Sequence, residues 1–404
     1  MYEANGIHVL SGVVKMGDSY TSQLYALECL SWATNDESKL SPSIFEALRA
    51  SIREATSEEL VSLVDVLRLG SDEEKDDGLV LCASIATRGQ RDELRDVGVM
   101  PPLVEMLRNG TASQKLWATE ALGTLARGNE KNRVTIVHEG VAPPLIALLQ
   151  MGTDVQKQLA AYALGKIVDN VDENRVVVAR EGAISPLMAL LQAGTCKQKG
   201  VAAYALGKLA DYNVANSTAI AREGAISPLV ALVENGIDEQ KEYAAQTLGN
   251  LATQNEDNCV AIVREGAVSA LVAVLRAEIE EPKQFAVYAL GNLCEYIGPS
   301  STKIAREAVS PLVALVRSGT ELQKKWAVFA LKCLAASNDE NRVAIAREGG
   351  IPPLVRLERA GTAKLKDHAA SALEMLAQND ANRAAIARER SSRRQPIRHA
   401  KFQM

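Results

Sequence analysis

The heptapeptide AAYALGK occurs at residues 160–166 and again at 202–208, 42 residues further on. Seven identical residues at one offset point to a tandem repeat, and a repeat period constrains architecture more tightly than length does. The surrounding segments agree along their whole extent. REGAISPLMALLQAGTCKQKGVAAYALGKLADYNVANSTAIA begins at Arg180, and REGAISPLVALVENGIDEQKEYAAQTLGNLATQNEDNCVAIV begins at Arg222. Gly98, Gly140, Gly182, Gly224 and Gly266 mark successive units at a spacing of 42. The next unit, REAVSPL around Ala308, has lost one residue, and Gly349 restores the marker. Less regular units precede them, LVSLVDVLRLGSDEEK at 60–75 and NGIHVLSGVVKMGDSY at 5–20. A chain of 404 residues would ordinarily suggest two or three compact domains. Units that bury their apolar faces only against neighbours instead form one cooperative array.

Each unit reads as three helices. In the unit at Gly182, Ser185 is placed to cap a first helix, with Pro186 at its first position, where the missing N–H costs nothing. Leu187, Ala189, Leu190 and Leu191 follow, and Gly194 ends it. Thr195 with Gln198 three residues on makes a capping box for a longer second helix running to about Asp211. Thr111/Gln114, Thr153/Gln156 and Thr320/Gln323 repeat the device, and Thr362/Leu365 does not. A third, short helix near 216–222 ends at Glu223–Gly224. The order N-R-x-x-I-x-R-E-G-x-I-x-P-L-V-x-L-L followed by Q-K-x-x-A-A-x-A-L-x-N-L-A resembles the armadillo repeat, over 57–389 and more weakly back to residue 6. In flavour the near-identical units are similar to vacuolar-type, plant and protist armadillo scaffolds, and more distantly to importin-α and β-catenin. The resemblance implies an all-α, right-handed superhelical solenoid of stacked helix triplets. The expected organisation is a degenerate repeat or cap at 1–56, about eight units over 57–389, and a basic tail at 390–404. Trp32 and Phe45 in the first segment also fit a chain cut from something longer, and both readings stay open.

Composition narrows the chemistry. Aromatic residues are 4%, and the net charge of −5 carries no nucleic-acid signature. Cys29, Cys82, Cys196, Cys259, Cys294 and Cys333 lack C-x-x-C spacing, which indicates reduced thiols and neither a disulfide framework nor a zinc site. The segment MYEANGIHVL does not read as a signal peptide, and neither a membrane span nor a lipidation box is recognisable. A cytoplasmic location, extending to the nucleus, is the expectation. The final residues, RERSSRRQPIRHAKFQM, hold six Arg or Lys against one Glu. They are expected to be disordered, and serve either as a nuclear localisation segment or as a solubilising end.

No catalytic constellation emerges: P-loop, H-E-x-x-H and G-x-S-x-G patterns are all missing, and no cofactor or metal is implied. His8, His138, His368 and His399 fall in different units or in the tail. His368 occupies the position held elsewhere by Trp117, Leu159, Tyr243, Phe285 and Trp326, and reads as a partly packed helix residue. Glu280–Glu281 reads as a solvated inter-helix turn, and Asp76–Asp77 as the favourable start of a helix. Gly123, Gly165, Gly207, Gly249 and Gly291 recur inside the long helix, at roughly 1 kcal/mol each relative to Ala. Close approach of neighbouring helices explains them better than a ligand does.

A stacked solenoid repeats one helical position along one face. In the importin-α branch a Trp, and an Asn four residues later, line the long helices; the Asn binds peptide backbone and the Trps make slots for Lys side chains. The matching pairs here are Val80/Ser84, Glu120/Thr124, Tyr162/Lys166, Tyr204/Lys208, Gln246/Asn250, Tyr288/Asn292, Phe329/Cys333 and Ser371/Met375. Residues at i and i+4 share a helix face. No Trp fills the first column, so a nuclear-signal-reading ladder is mostly absent. The expected groove residues are Glu120, Thr124, Tyr162, Lys166, Tyr204, Lys208, Gln246, Asn250, Tyr288 and Asn292. Lys166 and Lys208 would favour acidic groups on the partner, or are ordinary surface charges paired with Asp169 and Asp211. Lys115, Lys157, Lys199, Lys241, Lys283, Lys324 and Lys366 form a second column, read as a solvated row away from the groove. The functional expectation is a monomeric, non-enzymatic scaffold that binds protein segments and no nucleic acid. A nucleocytoplasmic transport adaptor and the substrate-recognition part of a multi-chain enzyme such as a ubiquitin ligase are the alternatives.

Overall fold

Small punctuating residues decide where each helix of the repeat stops. The computed structural model describes residues 55–297 and 301–392, and the expected N-terminal unit up to residue 54 and the tail from 393 lie outside the described residues. Twenty-three helices and no strand occur among the described residues. The contacts divide the chain into two compact units, Met1–Ala183 and Ile184–Met404.

In the first unit the order is α1 (Ser57–Leu69), α2 (Asp72–Thr87), α3 (Arg91–Asp96), α4 (Met100–Asn109), α5 (Ala112–Ala126), α6 (Glu130–His138), α7 (Ala142–Met151), α8 (Asp154–Val168) and α9 (Asp172–Arg180). The second unit holds α10 (Ile184–Ala193), α11 (Cys196–Ala210), α12 (Val214–Arg222), α13 (Ile226–Asn235), α14 (Asp238–Ala252), α15 (Glu256–Arg264) and α16 (Ala267–Arg276). It continues with α17 (Glu280–Tyr296), α18 (Ser301–Ser318), α19 (Glu321–Ser337), α20 (Asp339–Arg347), α21 (Ile351–Ala360), α22 (Ala363–Leu376) and α23 (Asp380–Ser392). Long helices stack on one another: α2 on α5 and α5 on α8 in the first unit, and α11, α14, α17, α19 and α22 in succession in the second. Their facing sides carry Ala and Leu with essentially no exposure, such as Ala118, Ala121 and Leu122 or Ala244, Ala245 and Leu248.

The capping boxes form as expected. Thr195 Oγ1 accepts from Gln198 N (3.3 Å) while Gln198 Oε1 accepts from Thr195 N (2.9 Å), and Thr111, Thr153 and Thr320 do the same. Thr362 makes no such bond. The glutamine also ties repeats together: Gln156 Nε2 donates to Ala112 O (3.0 Å) and Gln323 Nε2 to Glu280 Oε2 (2.9 Å). A buried asparagine in α6, α9, α15, α20 and α23 adds a second tie. Asn258 Nδ2, for example, donates to Leu251 O (2.8 Å) and to Ser217 O one repeat earlier (3.3 Å).

Two local expectations are corrected, the cap at Ser185 and the turn at Glu280–Glu281. Ser185 and its equivalent Ser227 do not cap: α10 and α13 begin earlier, at Ile184 and Ile226, and the cap residue Ala225 offers no side-chain acceptor. The chain turns instead at Gly224 (φ 86°), where Gly224 N donates to Ala221 O and Ala225 N to Ile220 O, a turn that only a residue tolerant of positive φ closes cheaply. Gly194 stops α10 without a left-handed backbone; a Cβ there would lie 2.5 Å from Leu190 O. Glu280 and Glu281 open α17 and are no inter-helix turn, with Glu280 paired to Lys283 at 2.6 Å. Where the marker glycine is missing, the short helix and the Pro-bearing helix fuse into one 18-residue helix, α18, with Pro311 inside it.

Candidate binding face on the long helices

The structure separates the expected groove residues into two groups. Asn250 and Asn292 are nearly buried, at 3% and 5% exposure, and their amides are spent inside the array. Asn250 Nδ2 donates to Gly207 O (2.9 Å), and its Oδ1 accepts from Tyr288 Oη (2.8 Å). Asn292 Nδ2 donates to Gly249 O (3.0 Å) and Thr253 Oγ1 (3.0 Å). Here they bond a neighbouring helix and not a ligand backbone. Tyr204 and Thr124 are also buried, at 6% each. Burial raises the Tyr288 phenol to about 12, against the lesser opposing effect of hydrogen bonding to Thr253 and Asn292.

The glycine column explains how the asparagines reach. A Cβ on Gly207 would collide with Thr247 Oγ1, and one on Gly249 would lie 2.6 Å from Tyr288 Cε1. These notches let the next helix approach until its side chains touch backbone carbonyls. Gly291 meets Phe329 Cδ1 and Trp326 Cε3 at 3.3 Å. Gly123 is different: its Cβ would make ordinary contact with Ala163 Cβ at 3.5 Å, so close approach does not require glycine there.

What remains half-buried on this face is Glu120, Tyr162 and Lys166 in the first unit, and Lys208, Gln246 and Tyr288 in the second. The duplicated Tyr–Lys pair has an internal geometry. Lys166 Nζ lies over the Tyr162 ring at 4.9 Å, and Lys208 Nζ over Tyr204 at 5.7 Å, within cation–π range. Asp169, the expected partner of Lys166, also pairs with Arg133 at 3.9 Å. The second lysine column is half-buried from Lys115 to Lys324 and exposed at Lys366.

In the second unit the rings continue beyond the expected strip. Tyr204 packs on Tyr243 (centroids 5.1 Å), Tyr288 meets Trp326 edge-on (4.8 Å), and Trp326 meets Phe329 edge-on (5.7 Å). This run leads to a cleft of about 200 Å³ lined by Tyr212, Thr253, Gln254, Asn292, Glu295, Tyr296, Lys325, Trp326, Phe329 and His368. Two of its residues are held in the left-handed region, Tyr212 at φ 49° and Gln254 at φ 55°. Both stand just after a long helix, at the repeat position filled by Gly128 (φ 64°) and Asn170 (φ 54°) in the first unit. Glycine and asparagine adopt that conformation readily, whereas tyrosine and glutamine there store strain of roughly 1–3 kcal/mol. Tyr212 is nonetheless 70% exposed, so packing in the free protein gives no reason for it.

Sequence reasoning placed Trp326 and His368 in one column but did not select them, and it passed over Tyr212, Tyr296 and Lys325. The available signal was Tyr212 itself, an aromatic residue where sister repeats carry a turn former. His368 is half-buried, and burial lowers its basicity, with Lys325 and Lys332 adding to the effect. Among the described residues no group of three or more His, Cys, Asp or Glu could hold a metal ion, and no single helix is long and apolar enough to cross a membrane.

No protein-family model and no curated protein matches the sequence. Solved structures do. The chain is similar to an engineered protein solved by structural genomics, with 25% identity and a TM-score of 0.75, over 95% of this chain and 92% of that one. A designed armadillo repeat protein in complex with the peptide (KR)4 is 22% identical, with a TM-score of 0.45 over 69% of this chain and 99% of its own. A second engineered protein is 23% identical, with a TM-score of 0.48 over the same two shares. With its helix triplets and repeat ties, the chain has an armadillo-like, all-α repeat solenoid fold.

Proposed function

We propose that this protein is a non-enzymatic scaffold that holds a segment of another protein against its long-helix face, with the aromatic cleft around Trp326 as the main anchor. The observation that carries the proposal is the cleft itself. Tyr212, Tyr296, Trp326 and Phe329 converge there, and the backbone holds Tyr212 in a strained, exposed conformation. Aromatic side chains that combine apolar area with a polar tip are favoured at protein interfaces, and strain of this kind gathers at ligand clamps. Lys208 and Gln246 extend the face within the second unit, where Asn250, Asn292 and Tyr288 support it from beneath; Tyr162 and Lys166 hold the matching repeat positions in the first unit.

The test is selection of binding peptides from a random display library, followed by hydrogen exchange of the full chain with each peptide. Protection is expected at the ends of α11, α14 and α17 and along α19. Tyr212→Ala with Trp326→Ala should weaken capture at least tenfold while helicity is kept. Protection confined to the Pro-bearing helices, or capture indifferent to both substitutions, refutes the reading.

A further inference from the structure

Two rings at the cleft, Trp326 and Phe329, do not stand as open cation slots. Lys325 Nζ lies over the Trp326 ring at 5.1 Å, and Lys332 Nζ near the Phe329 ring at 5.4 Å. The two lysines are seven residues apart on α19, two turns along one face, or about 10 Å. Among the described residues neither forms an ion pair. Lys364 joins them around His368, whose basicity is lowered by burial and then by the three ammonium groups, against the opposing pull of Asp367. Lys325 lines the α19–α22 side of the cleft and Lys332 and Lys364 stand beside it, three ammonium groups against the carboxyl of Asp367, and the Trp326 and Phe329 rings are already engaged by the protein's own cations. An incoming Lys or Arg would have to displace an ammonium group and then remain beside it. A carboxylate gains both charges and leaves the ring contacts in place.

From this charge pattern we infer that the cleft docks an acidic segment of a partner protein, its carboxylates meeting Lys325 and Lys332 and an apolar side chain entering between Tyr212, Tyr296 and Trp326. The inference rests on the binding-face reading above and adds the chemistry of the partner. Glu295, on the opposite wall, repels a second anionic stretch and so confines the acidic groups to the α19–α22 side. A cleft of about 200 Å³ with one lysine in its wall suits a short peptide with few carboxylates better than a phosphate backbone, which is held by a run of cations.

The experiment uses fluorescence anisotropy on the full chain with three labelled probes: an octapeptide of alternating Asp and Glu around one central Tyr, the peptide (KR)4, and an oligothymidylate. The acidic peptide should bind at least tenfold more tightly than either other probe, and less tightly as salt rises. Lys325→Glu with Lys332→Glu should lose at least tenfold and reverse the preference. Lys325→Gln with Lys332→Gln, which removes charge without adding repulsion, should lose about half of that effect on a logarithmic scale. Circular dichroism of each variant confirms that it is folded. Tighter binding of (KR)4 or of the oligonucleotide to the native chain, or an affinity for the acidic peptide that both double variants leave unchanged, overturns the inference. If library peptides still protect the long-helix face when that happens, only the acidic preference falls. If no peptide protects it, the binding face falls as well.

Discussion

Gly123 and Gly249 occupy the same repeat position, yet replacement by alanine should move stability in opposite directions. Alanine gains about 1 kcal/mol over glycine in a helix interior. At Gly123 the new methyl meets Ala163 Cβ at 3.5 Å, an ordinary contact, so that gain is kept. At Gly249 the methyl would lie 2.6 and 2.7 Å from Tyr288 ring carbons and 3.2 Å from Ala289 Cα. The ring has little room to yield, since its hydroxyl bonds Asn250 Oδ1 and it packs near-perpendicular to the Trp326 ring. Overpacking of this kind costs about 1–3 kcal/mol. Losing the tyrosine bond would leave buried Asn250 Oδ1 without a partner, at about 1–3 kcal/mol more. Gly123→Ala should therefore stabilise by about 1 kcal/mol, and Gly249→Ala should destabilise by roughly 1–5 kcal/mol, after the helix gain is subtracted. Urea unfolding followed by circular dichroism, with hydrogen exchange to localise the change to α5 or α14, reads both. Shifts of the same sign would refute the argument that the column is set by inter-helix distance.

Relief of the left-handed strain by Tyr212→Gly should raise stability by roughly 1 kcal/mol or more, in the same urea assay, while weakening peptide capture. Thr320→Ala should cost about 1 kcal/mol because a capping bond is lost, whereas Thr362→Ala, which removes no such bond, should be nearly neutral by thermal unfolding. Tyr288 ionises only near 12, well above an ordinary phenol at 10.0. Its stabilisation is thus complete below about pH 10 and is lost as pH rises through about 12, since the unfolded chain gives up the proton first. Tyr288→Phe should flatten that alkaline decline in denaturant midpoints and remove a phenolate step near pH 12 from the ultraviolet titration.

Much of this fold could be read from residues close in sequence. The capping boxes at Thr111, Thr153, Thr195 and Thr320, the turn at Gly224 and the extent of the long helices all depend on partners within six residues, so the repeat pattern carried them. The fused helix α18 belongs to the same class, because the loss of one marker glycine removes the turn. Only the stacking of helices decided the fate of the i, i+4 pairs. Asn250 and Asn292 share a column and a spacing with residues that grip ligands in similar repeats, but their amides are taken by Gly207 O and Gly249 O, each 43 residues earlier. Which polar atoms and ring faces remain for a partner depends on distances between helices about 42 residues apart, and a notch as small as a missing Cβ changes those distances. The sequence determined that a repeating face would exist, and the packing against Gly207, Gly249 and Gly291 determined which of its side chains, Asn250 and Asn292 among them, are taken up between helices.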